Sequence, residues 1–292
     1  MSDLSFINSK DQKIFAQKWL PHNEIKSCII LLHGYAEYSR RYQKFINKLT
    51  GSGHAVFAFD YQGHGRSEGV RGSAGNFDDL VKDANQFLSS VRSEYTEYPW
   101  SIMGHDLGGN IAIKLASIYQ YAFTGLILTA PAILMHQKIP KVVQDMARNI
   151  ASLYPGMPVM RLDTHAISRS KEVVNGYNKD PLVYHGCLRA GMAMCLQQSG
   201  QEAVKVLDQV TIPVWIGHGS FDSINDPAGS ALIMNRIASQ DKTLKIFDSL
   251  FHEILNEPER DEVMSEISGW IEERHTGLEL MEEYDYSKRR TG

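Results

Sequence analysis

Trp100-Ser101-Ile102-Met103-Gly104-His105-Asp106-Leu107-Gly108-Gly109-Asn110 reads as a buried strand, a glycine-flanked turn and the first residues of a helix. A side chain projecting from so sharp a strand-to-helix turn needs small residues two before and two after it, and Gly104 and Gly108 supply them. Position 106 is therefore the nucleophile position of an elbow. The residue there is Asp, so G-x-S-x-G is not met where its context is right. The pattern is met at Gly65-Arg66-Ser67-Glu68-Gly69. That stretch follows the run Ala55–Phe59 through Asp60-Tyr61-Gln62-Gly63-His64, a loop too long to set Ser67 on an elbow, and it is read as a turn shaped by glycines.

Outward from the elbow, apolar or β-branched runs alternate with amphipathic ones. Strands are predicted at Ser27–Leu32, Ala55–Phe59, Ser101–Met103, Gly125–Leu128, Val214–Ile216 and Leu244–Phe247, and helices at Phe77–Val91, Asn110–Tyr119 and Glu262–Arg274. Alternation of this kind predicts an α/β fold with a mostly parallel, doubly wound sheet. Ile14–Leu20 is expected as an antiparallel edge strand. From Pro131 to about Tyr184 the alternation fails, and Pro140, Pro155, Pro158 and Pro181 punctuate short apolar segments. The expected organisation is a core of residues 1–130 and 186–275, a cap insertion at 131–185 and a charged, flexible tail at 276–292. In the cap, Val142, Val143, Met146, Ile150 and Leu153 recur at helical spacing and predict a helix over Lys141–Tyr154. Its apolar face either packs on the cap's own core or meets lipid.

With 292 residues, 43% of them hydrophobic, the chain can bury one large core. A formal net charge of −4 leaves no basic excess for a phosphate backbone, which excludes nucleic acid as a partner. Cys28, Cys187 and Cys195 lack both metal-site spacing and an even number for disulfides, which points to a reducing, cytoplasmic compartment. No signal-peptide pattern and no run of eighteen apolar residues is present, so a soluble, non-secreted protein is expected.

Two further segments carry chemistry. Gly219-Ser220-Phe221-Asp222 lies just beyond the run Val214–Ile216, and Leu250-Phe251-His252-Glu253 just beyond Leu244–Phe247. C-terminal strand ends form the crevice of an open α/β sheet, and the chain order nucleophile, acid, histidine makes Asp222 the orienting acid and His252 the base. The expectation is that His252 reaches the carboxylates of both Asp106 and Asp222. The loop His33-Gly34-Tyr35 follows the first central strand, so the Tyr35 N–H is the expected first oxyanion donor and the Leu107 N–H the second. His136, His165 and His185 are read as structural, hydrogen-bonded groups.

These segments resemble the monoacylglycerol lipase and lysophospholipase family of α/β-hydrolases, from about residue 10 to about 275. The loop from His33 to Tyr42, H-G-Y-A-E-Y-S-R-R-Y, is similar to that family's H-G-x-G-E-H-x-x-R-Y, and Phe59–Gly69 is similar to its next turn. Ser168-Arg169, Tyr177–Leu182 and Ser239–Ile246 also match family segments. The resemblance implies a helical cap over an apolar pocket for long-chain acyl esters, no cofactor, a lipid-like small-molecule ligand and peripheral membrane contact through the cap. It also implies that Glu37 and Arg41 lie near the polar end of a glycerol pocket.

Two departures matter. Leu255 stands where a histidine is common, and the elbow reads G-H-D-L-G-G where the family has G-H-S-M-G-G. A carboxylate attacking an ester makes an anhydride, and it leaves the tetrahedral intermediate more easily than an alkoxide does. Ester hydrolysis is therefore expected to be lost or strongly reduced, leaving a pseudoenzyme with a binding or structural role, including that of a subunit in a larger assembly. The alternatives are an active hydrolase using Asp106 on an epoxide or alkyl halide, with His252 activating water, or an ordinary lipase carrying an introduced Ser-to-Asp change. Leu107 is not the tryptophan many dehalogenases carry after their aspartate, and the His33 loop lacks the proline of epoxide hydrolases.

Overall fold

The apolar runs flanking the elbow form the centre of an eight-stranded sheet in the computed structural model, which describes residues 1–136 and 153–274. The order across the sheet is β1 (Ser2–Ile7), β2 (Lys13–Trp19), β4 (His54–Phe59), β3 (Ser27–Leu32), β5 (Trp100–His105), β6 (Gly125–Thr129), β9 (Val214–Gly219) and β10 (Lys242–Phe247). From β4 to β10 all neighbours are parallel, whereas β1 with β2 and β2 with β4 are antiparallel. Every residue of β3, β4, β5, β6 and β9 is buried, as parallel strands covered on both faces require.

Alternation along the strands divides the core in two. Cys28, Ile30 and Leu32 face a layer that includes Phe77 and Leu80 of α2 (Phe77–Arg92) and Ile111 and Leu115 of α3 (Leu107–Ile118). Ile29 and Leu31 face Phe45 and Leu49 of α1 (Gln43–Gly51), together with Ile267 and Trp270 of a helix at 260–274. The Asn76 side chain starts α2 by accepting the Asp79 N–H at 2.9 Å.

The strand expected at Ile14–Leu20 is present as β2, but it is not the edge. Residues Ser2–Ile7 pair with Lys13–Lys18, from Ser2 opposite Lys18 to Ile7 opposite Lys13. The physical reason is a two-residue alternation at the N-terminus: Leu4 and Phe6 pack on the core, with the Phe6 ring 5.8 Å from Phe59 and 5.9 Å from Phe87.

The helix expected over Lys141–Tyr154 falls, but for its last two residues, outside the described residues, as does the tail from 275. What is described of the cap is mixed, not wholly helical. An antiparallel ribbon joins β7 (Pro158–Arg161) to β8 (Cys187–Arg189), and α4 (Lys171–Lys179) lies between them in sequence. The return strand of the ribbon therefore lies past residue 185, inside the segment expected to be core. Helices α5 (Ala190–Lys205) and α6 (Pro227–Arg236) complete the order, and no helix among the described residues is long and apolar enough to cross a membrane.

Candidate active site

The elbow owes its shape to close backbone approach. A Cβ on Gly104 would sit 2.2 Å from the Gly108 carbonyl oxygen, and one on Gly108 would sit 2.2 Å from that of Leu32. Only glycine fits at either place, which explains both members of the motif. Asp106 between them has φ 50° and ψ −118°, a conformation costly for a side chain with a Cβ. Only this residue separates β5 from α3, so the helix begins at Leu107, three residues before the sequence pattern suggests.

His252 and Asp222 meet as expected. Nδ1 of His252 lies 2.8 Å from Oδ2 of Asp222. The other carboxylate oxygen of Asp222 accepts the N–H groups of Ile224 at 2.8 Å and Asn225 at 3.0 Å, an Asx turn that fixes the side chain on its own loop. His218, which sequence reading missed, adds Nε2 at 3.0 Å from the same Asp222 Oδ2, while Ser230 Oγ sits 2.7 Å from His218 Nδ1. Burial works against a charged Asp222, but the His252 charge and the imidazole hydrogen bonds outweigh it and hold the carboxyl well below the usual range. Burial likewise opposes a charged His252, and Asp222 overcomes it, pushing the imidazole up to about 9.

Asp106 departs from expectation. Its Oδ2 accepts the Tyr35 N–H at 2.9 Å and its Oδ1 accepts Asn225 Nδ2 at 2.7 Å. Among the described residues these are its side-chain hydrogen bonds, and neither goes to His252. The imidazole is nearby, its ring 4.7 Å from that of His105, but the aspartate turns toward the expected oxyanion donor. A serine presents one oxygen toward the histidine; a longer side chain with two acceptors reaches the donors on the other side. Leu107 is buried at the first position of α3, where a backbone N–H lacks an intrahelical acceptor.

Glu37 and Arg41 are paired beside the Gly34 loop. Glu37 Oε1 accepts the Gly34 N–H at 2.6 Å and the Tyr42 hydroxyl at 2.5 Å, and its Oε2 accepts Arg41 Nε at 3.1 Å. Burial raises the Glu37 carboxyl above its ordinary value, against the opposing pull of Arg41 and Tyr42. The Arg41 guanidinium also pairs with Glu253 and lies 4.6 Å from the centre of the Tyr177 ring. Glu37 lines the cavity in front of Asp106, whereas Arg41 is committed to two carboxylates and a ring and serves as a strut. Glu253, next to the histidine, was not singled out from sequence, because its partner is 212 positions away.

The cavity measures about 360 Å³. Asp106, His252 and Asn225 line it, and Met160, Leu162, Ile167 and Leu188 supply apolar wall. Ser67 is elsewhere: its Oγ accepts the Phe15 N–H at 2.8 Å and donates to the Asp60 carbonyl at 2.5 Å, a buried turn as read from sequence.

Known proteins are similar to this chain in sequence and fold. The Hydrolase_4 family model, described as Serine aminopeptidase, S33, matches residues 23–259. A monoacylglycerol lipase of Mycolicibacterium smegmatis is 34% identical over 92% of this chain and 96% of its own length. The human monoglyceride lipase is 32% identical over 92% of this chain and 89% of its own. Among solved structures, the monoacylglycerol lipase of Paleococcus ferrophilus superposes with a TM-score of 0.80 at 29% identity, over 89% of this chain and 99% of that one.

Proposed function

The chain belongs to the monoacylglycerol-lipase-like α/β-hydrolases of the Hydrolase_4 family, and from that premise we propose that it keeps the acyl-binding half of such an enzyme while its ester-cleaving half is lost or strongly reduced. The observation that carries this is the 2.9 Å hydrogen bond from the Tyr35 N–H to Asp106 Oδ2. An ester carbonyl must bring its oxygen to that donor as charge develops on it. The carboxylate occupies the place, and its own attack on an ester would end in an anhydride that collapses back. What remains is a cavity with apolar walls under the cap, suited to a lipid-like molecule of long apolar chain. Peripheral contact with a membrane through the cap, residence in a reducing compartment and incorporation into a larger assembly belong to the same proposal.

One observation favours a second reading. If Asp106 Oδ1 displaced a leaving group at a saturated carbon, the new ester would have Oδ2 as its carbonyl oxygen, already at the Tyr35 N–H. His252, bound to Asp222 through Nδ1, would activate the water that cleaves this ester. The test is to offer the protein monoacylglycerols, p-nitrophenyl esters, 1,2-epoxyalkanes and 1-haloalkanes in ¹⁸O-labelled water. No ester turnover and an unlabelled Asp106 peptide are expected. Ester turnover would remove the proposal, and label in Asp106 with an alkyl substrate would establish the second reading in its place.

A further inference from the structure

Asn225 is 1% exposed, stands three residues after Asp222, and touches every other member of the site's acid and nucleophile positions. Its backbone N–H donates to Asp222 Oδ1 at 3.0 Å, and its carbonyl oxygen lies 3.2 Å from His218 Nε2. Its side-chain Nδ2 donates to Asp106 Oδ1 at 2.7 Å and to the Ala130 carbonyl at 2.9 Å. An amide nitrogen has two N–H bonds, and these two acceptors use both. With Oδ2 on the Tyr35 N–H, the carboxylate is gripped at each oxygen by a donor from a different loop.

We propose that Asn225 is the positioning residue for Asp106: its amide, with the Tyr35 N–H, holds the carboxylate on the oxyanion side of the elbow and away from His252. Coulomb attraction would otherwise draw the carboxylate toward the imidazole. The charged and titratable groups facing His252 are Asp222 from the β9–α6 loop, His105 and Asp106 from the elbow, and Glu253 from its own loop. Asp222 is tied by His218 and two backbone N–H groups, Glu253 by Arg41, and His105 by Thr129 at 3.1 Å. Asp106 is the member whose hold depends on the Asn225 side chain. A serine at 106 has no second oxygen for that amide, so the grip is specific to the aspartate. The inference rests on the reading that Asp106 occupies the oxyanion donor, and it names the side chain that keeps it there.

The test is the midpoint of the His252 imidazole titration, followed by NMR in the wild type, Asn225→Ala, Asp106→Ser and the double variant. In the aspartate background Asn225→Ala is expected to raise the midpoint by about one pH unit, the effect of bringing an opposite charge into contact. In the serine background the same substitution should leave it in place. Equal movement in both backgrounds, or none in the first, overturns the proposal. A merely structural asparagine would not distinguish the backgrounds. Should Asn225→Ala not fold, solvent exchange of the Asn225 side-chain amide protons decides: roughly tenfold faster exchange in Asp106→Ser than in wild type is expected if the carboxylate protects them, and identical exchange overturns it. Failure of the parent reading shows separately, as ester turnover by the wild type.

Discussion

Replacing Arg41 by Met keeps most of the side-chain volume and removes the charge that Glu37 and Glu253 share. The Arg41 side chain is 9% exposed, and those of Glu37 and Glu253 are 5% and 6% exposed, so little solvent is available to replace it. Removing one partner of a buried ion pair typically costs about 3–5 kcal/mol, because a desolvated charge is left behind. Here the loss is limited by an exit: Glu37 already has a raised carboxyl, and without Arg41 it takes up a proton more readily still. A group with its folded-state pKa raised above the unfolded value contributes stability that is present at low pH and lost as pH rises through the folded value. Loss of Arg41 raises that value further, so the penalty should grow with pH. We expect Arg41→Met to destabilise by about 3 kcal/mol or more near pH 8 and by about half that near pH 5, read from urea midpoints with the slope held common. A penalty below about 1 kcal/mol at pH 8, or one larger in acid, would refute the view of Arg41 as a buried strut and return it to the role of a free substrate contact.

His252 should titrate near pH 9, and His252→Gln should destabilise most below about pH 6.5. The raised imidazole contributes stability that is lost as pH climbs from 6.5 toward 9, so the gap between wild type and variant, about 3 kcal/mol at its largest, should close across that window in thermal melts. Ser67→Ala should cost about 1–3 kcal/mol by stranding the half-buried Phe15 N–H, while leaving ester turnover of Asp106→Ser untouched. A fall in that turnover would make Ser67 part of the chemistry.

Much of this could be read from the sequence because it rests on local rules. The central strands announce themselves by unbroken apolar runs, the elbow by glycines that must meet backbone, and Asp222 and His252 by their places at strand ends. What escaped depends on distance along the chain. Asn225 meets Asp106 across 119 positions and Arg41 meets Glu253 across 212, and no periodicity encodes either contact. The N-terminal strand escapes for the opposite reason: the alternation of Leu4 and Phe6 is present, but two inward positions in six residues are too few to stand out. The direction taken by the Asp106 side chain follows from two donors on separate loops, which only the folded chain brings together.

If the Asp106 carboxylate sits where an ester's oxygen must go, one substitution separates this chain from ester turnover. The direct measurement is kcat/KM for a long-chain monoacylglycerol with the wild type and with Asp106→Ser, each checked for folding by circular dichroism. Freeing one oxyanion donor is worth about 10²–10³ in rate, and restoring an oxygen nucleophile to His252 adds to it, so the serine form should exceed the wild type by at least about 10³. Wild-type turnover within roughly tenfold of the serine form, or a folded serine form with no turnover, would show that Asp106 is not what blocks ester cleavage.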